Sequence, residues 1–154
     1  MADPNGPYSA TPLGVVTVDG TGSFDPDGDP LEYRWSFDGS VQSGMTVDFT
    51  APLTVGIYPV TLTVDDGLET DTASTSVVVE LTEDDLRSMI DDFVGTGGLA
   101  NSLKQQVRGI VNAPNPNAEA GKVNAFKNHV TAQAGVNLTQ EEADILIVLI
   151  DQLG

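Results

Sequence analysis

The sequence predicts two domains, an all-β sandwich over residues 1–80 followed by a small all-α bundle of about four short helices over residues 81–154. Apolar residues recur at every second position in the first part and at every third or fourth position in the second. The charge changes at the same point, since residues 1–80 contain 13 acidic residues and one basic residue, whereas residues 81–154 contain 10 and 5. Both changes place the domain boundary close to residue 80.

The first domain consists of short runs in which apolar and polar side chains alternate. Turns rich in Asp, Gly and Pro separate the runs, as between residues 25 and 30. Several such strands without a helix between them are typical of a β-sandwich. Trp35 lies in a central run and is the expected anchor of the core. The runs span residues 31–37, 45–49, 58–64 and 77–79.

The second domain shows the spacing of amphipathic helices. Thr82 with Asp85, and Thr139 with Glu142, resemble capping boxes, which satisfy backbone groups at the start of a helix. The pattern therefore predicts helices that begin close to Thr82 and Thr139. The apolar stripes comprise Leu86, Met89, Ile90 and Phe93; Leu99, Leu103, Val107 and Ile110; Val123, Phe126 and Val130; and Leu146, Ile147, Leu149, Ile150 and Leu153.

Composition excludes several classes of function. The formal net charge of −17 disfavours nucleic acid and acidic membrane surfaces as partners, because both are bound by clustered Lys and Arg. The chain contains no cysteine, so thiolate catalysis and zinc-thiolate sites are excluded. The longest apolar run, residues 145–150, is far shorter than the roughly 20 residues that cross a bilayer. No basic segment followed by an apolar one opens the chain, so we expect no secretory signal within it.

The first domain resembles the polycystic kidney disease (PKD) domain, and the resemblance covers most of residues 4–80. It is carried by residues 5–9, 18–31, 33–35 and 56–67. The chain departs from the family in one turn, where Trp35 is followed by Ser-Phe-Asp-Gly-Ser in place of Asp-Phe-Gly-Asp-Gly. The resemblance implies an immunoglobulin-like β-sandwich and a place in a secreted or cell-surface protein.

The second domain resembles the helical FIMAH module found at the carboxy ends of secreted bacterial enzymes. The matching segments are residues 98–103, 123–130 and 138–146. This resemblance implies an accessory position beside other domains and brings no chemistry of its own.

An acidic turn is the candidate metal site. Asp25, Asp27 and Asp29 place three carboxylates within five residues, and oxygen-rich, flexible sites of this kind suit Ca²⁺. The PKD resemblance implies the ligands Asp25, Asp27 and Asp65, with help from Asn5. The alternative is an acidic turn in which the Asp side chains cap local backbone N–H groups.

No catalytic motif is present, and we expect no enzymatic activity. His129 is the only histidine, and it lies on the face of a predicted helix without a neighbouring nucleophile motif. Residues 95–100 satisfy the dinucleotide-binding pattern G-x-G-x-x-A, but they follow a predicted helix instead of a strand. Small sandwiches and bundles seldom enclose the cleft that a catalytic carboxylate pair requires.

The favoured function is therefore a non-catalytic accessory or spacer module of an extracellular or cell-surface protein. It would bind a protein partner or position a neighbouring domain, with calcium as a stabilising ion. The alternative is a carbohydrate-binding module that targets an enzyme to a polysaccharide. Such a module usually displays exposed aromatic rings, whereas Tyr33 and Trp35 share the core-facing side of their strand. The acidity also fits a halophilic source, which would imply no partner.

Overall fold

The computed structural model describes residues 1–153 and divides the chain into two compact units, Met1–Glu80 and a second that begins at Leu81. Within the described residues, the first unit contains seven strands and the second contains four helices. The chain is thus a β domain followed by a helical part, as the change in periodicity predicts.

The strands of the first unit form two sheets. The larger sheet has the strand order β1-β7-β6-β3-β4, and the smaller one pairs β2 with β5. All neighbours are antiparallel except β1 and β7, which are parallel. The strands are β1 (Tyr8–Ala10), β2 (Val15–Asp19), β3 (Glu32–Phe37), β4 (Ser40–Ser43), β5 (Thr46–Thr50), β6 (Gly56–Asp65) and β7 (Thr70–Val79).

The core of the β unit is built from alternate residues of both sheets. Trp35 is completely buried, and its Nε1–H donates to the carbonyl oxygen of Gly44 at 3.1 Å. The ring of Phe37 packs against Phe49 of the other sheet with 5.5 Å between ring centroids. The alternation in the sequence thus identifies the buried face correctly, because one face of each strand must leave water. Further members of this core are Val16, Val18, Val47, Val60, Leu62, Val64, Val77 and Val79.

Three strands, β1, β2 and β4, lie outside the runs that the sequence predicts. All four residues of β4 are exposed, so no apolar period marks this edge strand. Strand β1 has three residues, and β2 is a short valine-rich run that buries Val16 and Val18. The predicted run 45–49 begins one residue too early, since β5 begins at Thr46. Met45 is 49 % exposed, whereas Val47 and Phe49 are buried.

The second unit contains four helices: α1 (Glu83–Val94), α2 (Gly98–Val111), α3 (Pro116–Gln133) and α4 (Gln140–Ile150). The predicted capping boxes are both present, at Thr82 with Asp85 and at Thr139 with Glu142. Helices α1 and α3 each pack against both α2 and α4. The predicted apolar stripes supply most of the buried side chains, among them Leu86, Ile90, Leu103, Val107, Ile110, Phe126, Val130, Leu146, Leu149 and Ile150.

Polar contacts also join the helices. Lys104 Nζ on α2 donates to both carboxylate oxygens of Asp91 on α1, at 2.5 and 2.7 Å. Lys122 Nζ on α3 donates to the carbonyl oxygen of Gly109 on α2 at 2.6 Å. None of the helices in residues 1–153 has the length and apolarity required to cross a membrane.

Candidate functional site

Near the start of β3 the outer face of the larger sheet carries polar side chains, whose neighbours follow from the strand register. Glu32 on β3 lies directly opposite Asp65 on β6, which in turn lies opposite Thr70 on β7. Two residues further along β3, Arg34 lies between Thr63 on β6 and Ser43 on β4. Since side chains two apart in a strand share a face, these two rows form one continuous polar surface.

An open cleft of about 910 Å³ lies at the start of β3, and we call it the Arg34 cleft. It exists because β4 ends at Ser43, after which the chain crosses to the smaller sheet and leaves the start of β3 uncovered on that side. Within this lining the Gly44 N–H donates to the Tyr33 carbonyl oxygen at 3.1 Å. The lining residues are Leu31, Glu32, Tyr33, Arg34, Ser43, Gly44, Met45, Thr63, Asp65 and Thr70.

The charges in the Arg34 cleft are unbalanced. Arg34 is the only basic residue in residues 1–80. Within residues 1–153 the structure gives it neither an ion pair nor a side-chain hydrogen bond, and the residue is exposed. Glu32 and Asp65 stand opposite each other across the strands, and like charges in that relation are destabilising. Asp65 is held in place, because its Oδ1 accepts a hydrogen bond from the Gly67 N–H at 2.8 Å.

The aromatic side chains do not form an exposed strip. Trp35 is buried, and Tyr8, Tyr33 and Tyr58 are partly buried against the core. No Tyr or Trp in residues 1–153 is exposed. The prediction that Tyr33 and Trp35 belong to core packing is therefore confirmed.

At the acidic turn the structure shows local capping. Asp25 Oδ1 accepts hydrogen bonds from the backbone N–H groups of Asp27 and Asp29, at 2.8 and 3.1 Å. The remaining carboxylates of the turn, those of Asp27 and Asp29, belong to exposed residues. The turn is thus ordered by the aspartate that opens it, in the manner typical of Asp at such positions.

Two of the predicted calcium ligands, Asp25 and Asp65, line different clefts. Asp25 lines a small cleft of about 310 Å³ together with Asp66, Glu69 and Asp71, whereas Asp65 lines the Arg34 cleft. Asn5 donates from Nδ2 to the carbonyl oxygen of Asp19 at 2.9 Å. In the part of the chain that the structure describes, no three acidic or histidine side chains are arranged to hold a metal ion. The β unit is rich in carboxylates, but they are not grouped so that several could coordinate one ion.

Two carboxylates beside Asp25 are strongly hydrogen-bonded. The backbone N–H groups of Glu69 and Leu68 hold the pKa of Asp66 below its ordinary value, each donating to Oδ1 at 2.7 Å. The backbone N–H groups of Ala2 and Thr72 likewise lower the pKa of Asp71, at 2.7 and 2.9 Å. These hydrogen bonds favour the ionised form of both carboxylates.

His129 takes part in a contact between helices. Its Nδ1 lies 2.6 Å from Nε2 of Gln106, which connects α3 with α2. This contact with Gln106 fits the interpretation of His129 as a residue on a helix face.

The sequence analysis did not identify the Arg34 cleft, although two of its charged residues stand out in the sequence. Glu32 and Arg34 fall on the polar side of a strand whose other side carries Tyr33, Trp35 and Phe37. Arg34 is also the single cation among 13 acidic residues. Their position next to Asp65 depends on pairing between segments about 30 residues apart, which only the folded sheet provides.

Comparison with known proteins identifies one family and one similar solved structure. The PKD domain family matches residues 1–81. A solved structure of a nucleoside hydrolase-related hypothetical protein from Saccharophagus degradans, described as associated with carbohydrate metabolism, is 31% identical. The similarity covers 47% of this chain and 21% of that chain, with a TM-score of 0.38, so it spans about a fifth of the length of that protein. No curated protein matches the sequence.

Proposed function

The chain belongs to the PKD domain family through residues 1–81, and on this basis we propose that it is a non-catalytic accessory module of a secreted or cell-surface protein. In this role it binds a protein partner or positions a neighbouring domain. The observation that carries the proposal is the family match, which spans the whole of the unit Met1–Glu80. The interior of that unit is filled by its own side chains, such as Trp35, Phe37 and Leu62, so its polar groups lie on open surfaces.

The helical unit is proposed to serve the same accessory role, as its resemblance to the FIMAH module implies. Its apolar side chains form a core, and ion pairs join its helices, Lys104 with Asp91 in a partly buried position and Lys127 with Asp151. A unit of this kind offers surfaces for contact with other domains.

Deletion tests the accessory role. In the protein that carries this chain, removal of residues 1–154 should leave turnover of a small soluble substrate unchanged and reduce action on a polymeric substrate or attachment at the cell surface. Loss of turnover on the small substrate would show that the chain contributes to the chemistry, and the proposal would be wrong.

We also propose that calcium stabilises the β unit through Asp25, Asp27, Asp65 and Asn5. Support comes from the oxygen donors of these residues and from the exposure of the acidic turn. Within residues 1–153 no three acidic or histidine side chains are arranged to hold a metal ion, so calcium binding requires a local rearrangement of the carboxylates. Millimolar CaCl₂ added to a metal-stripped sample should raise the melting temperature, and Asp27→Ala should abolish that rise. An unchanged melting temperature would contradict the calcium proposal without affecting the accessory role.

A carbohydrate-binding module is the second candidate function, and the Arg34 cleft is the observation that favours it. The cleft combines a guanidinium group, two carboxylates and several hydroxyl groups on an open surface. Retention on cellulose, chitin or a related insoluble polymer would support this function. Absence of retention on the whole set would favour protein contact.

A further inference from the structure

We propose that the open edge of strand β2 accepts an extended, lysine- or arginine-rich segment of a partner protein as an added β-strand. This inference rests on the proposed function as a protein-binding module, and it assigns a surface and a partner chemistry to that function. The surface is the backbone edge of β2 that faces away from β5, and we call it the β2 edge.

The hydrogen bonds of the β2–β5 pair show which backbone groups form the β2 edge. The Gly20 N–H donates to the Met45 carbonyl oxygen at 2.9 Å, just beyond the end of the pair. In an antiparallel pair, such bonds recur at every second residue. With the observed register, the even-numbered residues of β2 therefore bond to β5. The N–H and C=O groups of Val15, Thr17 and Asp19 point the other way, along the β2 edge.

The chain itself covers only one end of the β2 edge. The Asp19 N–H donates to the Tyr8 hydroxyl at 2.9 Å, and the Asp19 carbonyl oxygen accepts from Asn5 Nδ2 at 2.9 Å. The N–H and C=O groups of Val15 and Thr17 have no hydrogen-bond partner among residues 1–153. A strand placed beside these two residues would pair with both donors and both acceptors.

The side chains at the β2 edge leave room for a neighbouring strand. Val15 is 68 % exposed and Thr17 is exposed, both on the outer face of the smaller sheet. Tyr8 and Ala10 of β1, which contacts β2, pack against the core but stay partly exposed. Apolar side chains on the inner face of an added strand would cover them. The smaller sheet would also grow from two strands to three, and a two-stranded sheet is the least stable kind.

Charge decides which kind of segment the β2 edge attracts. Asp19 and Asp48 are the only charged residues of the smaller sheet, and neither has an ion-pair partner in residues 1–153. A side chain on the outer face beside Thr17 lies within roughly 10 Å of both carboxylates, about one Debye length at 0.1 M salt. Lysine or arginine is attracted there. A second copy of the chain would instead bring a β unit with 13 acidic residues and one basic residue.

The edge of β4 is also exposed, but its charge is different. The Gly44 N–H donates to the Tyr33 carbonyl oxygen, so by the same alternation the backbone groups of Val41 and Ser43 face away from β3. Ser43 lies directly opposite Arg34, whose guanidinium repels a basic segment. The β4 edge therefore provides an internal control for the assignment to β2.

The test measures backbone amide exchange by NMR in the full chain, with the capped heptapeptide Lys-Val-Lys-Val-Lys-Val-Lys as the probe. Without peptide, the amides of Val16 and Val18 should be protected, whereas those of Val15 and Thr17 should exchange rapidly. Millimolar peptide should slow exchange at Val15 and Thr17 by about tenfold or more and leave Val41 unchanged. The effect should weaken as salt is added, because salt screens the attraction.

Proline substitutions separate the two edges. Thr17→Pro removes an N–H that points away from β5, so it should abolish peptide binding and preserve the β2–β5 pair. Thr17→Val keeps the N–H, and Val41→Pro changes β4 instead, so both should bind normally. Asp48→Asn should weaken binding about two- to fivefold, whereas Asp38→Asn removes the same charge outside the smaller sheet and should have little effect. Thermal melting and Trp35 fluorescence verify that each variant is folded.

Four results would overturn the proposal or one part of it. If the lysine peptide protects no amide, the proposal is wrong, while the accessory role stands on its own deletion test. If Val41 and Ser43 become protected instead of Val15 and Thr17, the assignment to β2 is wrong. Equal protection by Glu-Val-Glu-Val-Glu-Val-Glu would contradict the argument from charge. If Val15 and Thr17 become protected at high protein concentration without peptide, the occupant is a second copy of the chain.

Discussion

The hydroxyl oxygen of Tyr8 lies 2.9 Å from the backbone nitrogen of Asp19, from which it accepts a hydrogen bond. The same hydroxyl donates to the carbonyl oxygen of Pro4 at 2.7 Å. Tyr8 therefore fastens the segment before β1 to the end of β2, across 11 residues of sequence. Burial of the phenol, the largest influence on it, raises the pKa of Tyr8 above 10.0.

We predict that Tyr8→Phe lowers the free energy of unfolding of the β unit by about 1–2 kcal/mol, because it leaves the Asp19 N–H and the Pro4 carbonyl without this partner. Urea unfolding monitored by Trp35 fluorescence reports on this unit alone, since Trp35 is the only tryptophan and is buried there. Tyr33→Phe is the control, because the Tyr33 hydroxyl makes no hydrogen bond among residues 1–153. Equal losses in the two variants would show that the hydroxyl of Tyr8 is not the cause.

Gly20 is buried against the core, where a side chain would be in tight contact with its neighbours. A Cβ atom at this position would stand 3.0 Å from Cδ2 of Leu62 and 3.2 Å from Cζ2 of Trp35. Gly20→Ala should therefore reduce stability by about 1–2 kcal/mol through overpacking. Urea unfolding measures the loss of stability. A shift of the Trp35 emission maximum in the native variant would show that the added methyl group disturbs the surroundings of Trp35. Unchanged stability would mean that the core adapts at this point.

Two glycines of the helical unit, Gly121 and Gly135, should respond in opposite directions although both have open space around their Cα atoms. Gly121 lies inside α3, so Gly121→Ala should raise stability by about 0.5–1 kcal/mol through better helix propensity. Gly135 has a φ angle of 75°, which strains any other residue, so Gly135→Ala should lower stability. Thermal unfolding followed by circular dichroism at 222 nm compares them, and a gain in both variants would contradict the argument from backbone conformation.

The capping box of α4 offers a further test of local structure. Thr139 Oγ1 accepts from the Glu142 N–H at 3.1 Å, and Glu142 Oε2 accepts from the Thr139 N–H at 2.7 Å. Thr139→Ala should destabilise the helical unit by about 1 kcal/mol, whereas Thr139→Ser keeps the oxygen and should lose little. The comparison uses the same thermal unfolding experiment. A similar loss with serine would point to the methyl group instead of the cap.

Acid should weaken the β unit through Asp66 and Asp71, whose pKa values are lowered in the folded state by backbone hydrogen bonds. A lowered pKa means that the stabilisation is present above the ordinary carboxyl value of 3.8 and is lost as the pH falls through the lower folded value. Urea unfolding at a series of pH values between 2 and 6, about two units to either side of that value, should therefore show declining stability at the acid end.

Variants separate these two carboxylates from the general charge of the unit. Asp66→Asn and Asp71→Asn should each reduce the slope of stability against pH. Asp38→Asn removes one acidic side chain that accepts no hydrogen bond in residues 1–153, and should leave the slope close to that of the unchanged protein. An equal effect of all three substitutions would assign the acid response to net charge.

Periodicity was sufficient to predict those strands and helix starts whose sequence pattern lies within a few neighbouring residues. The alternation around Trp35 gave strand β3 and its buried face, and Thr82 and Thr139 gave the starts of two helices. Strand β4 has no such signal, because an edge strand with four exposed residues gains its position from pairing with β3 and not from burial. The resemblance to the PKD domain located candidate ligands in the chain but did not place Asp25, Asp65 and Asn5 relative to one another.

The sequence by itself determined that a β domain precedes a helical part, which face of strand β3 leaves water and which residues cap α1 and α4. Burial follows the period of each element, and capping acts over three residues, so both are written locally. Only the tertiary structure placed Glu32 opposite Asp65, left Arg34 beside them without an ion-pair partner in residues 1–153, and opened the cleft where β4 ends at Ser43. These relations depend on the register between distant strands, which is fixed by packing of the shared core.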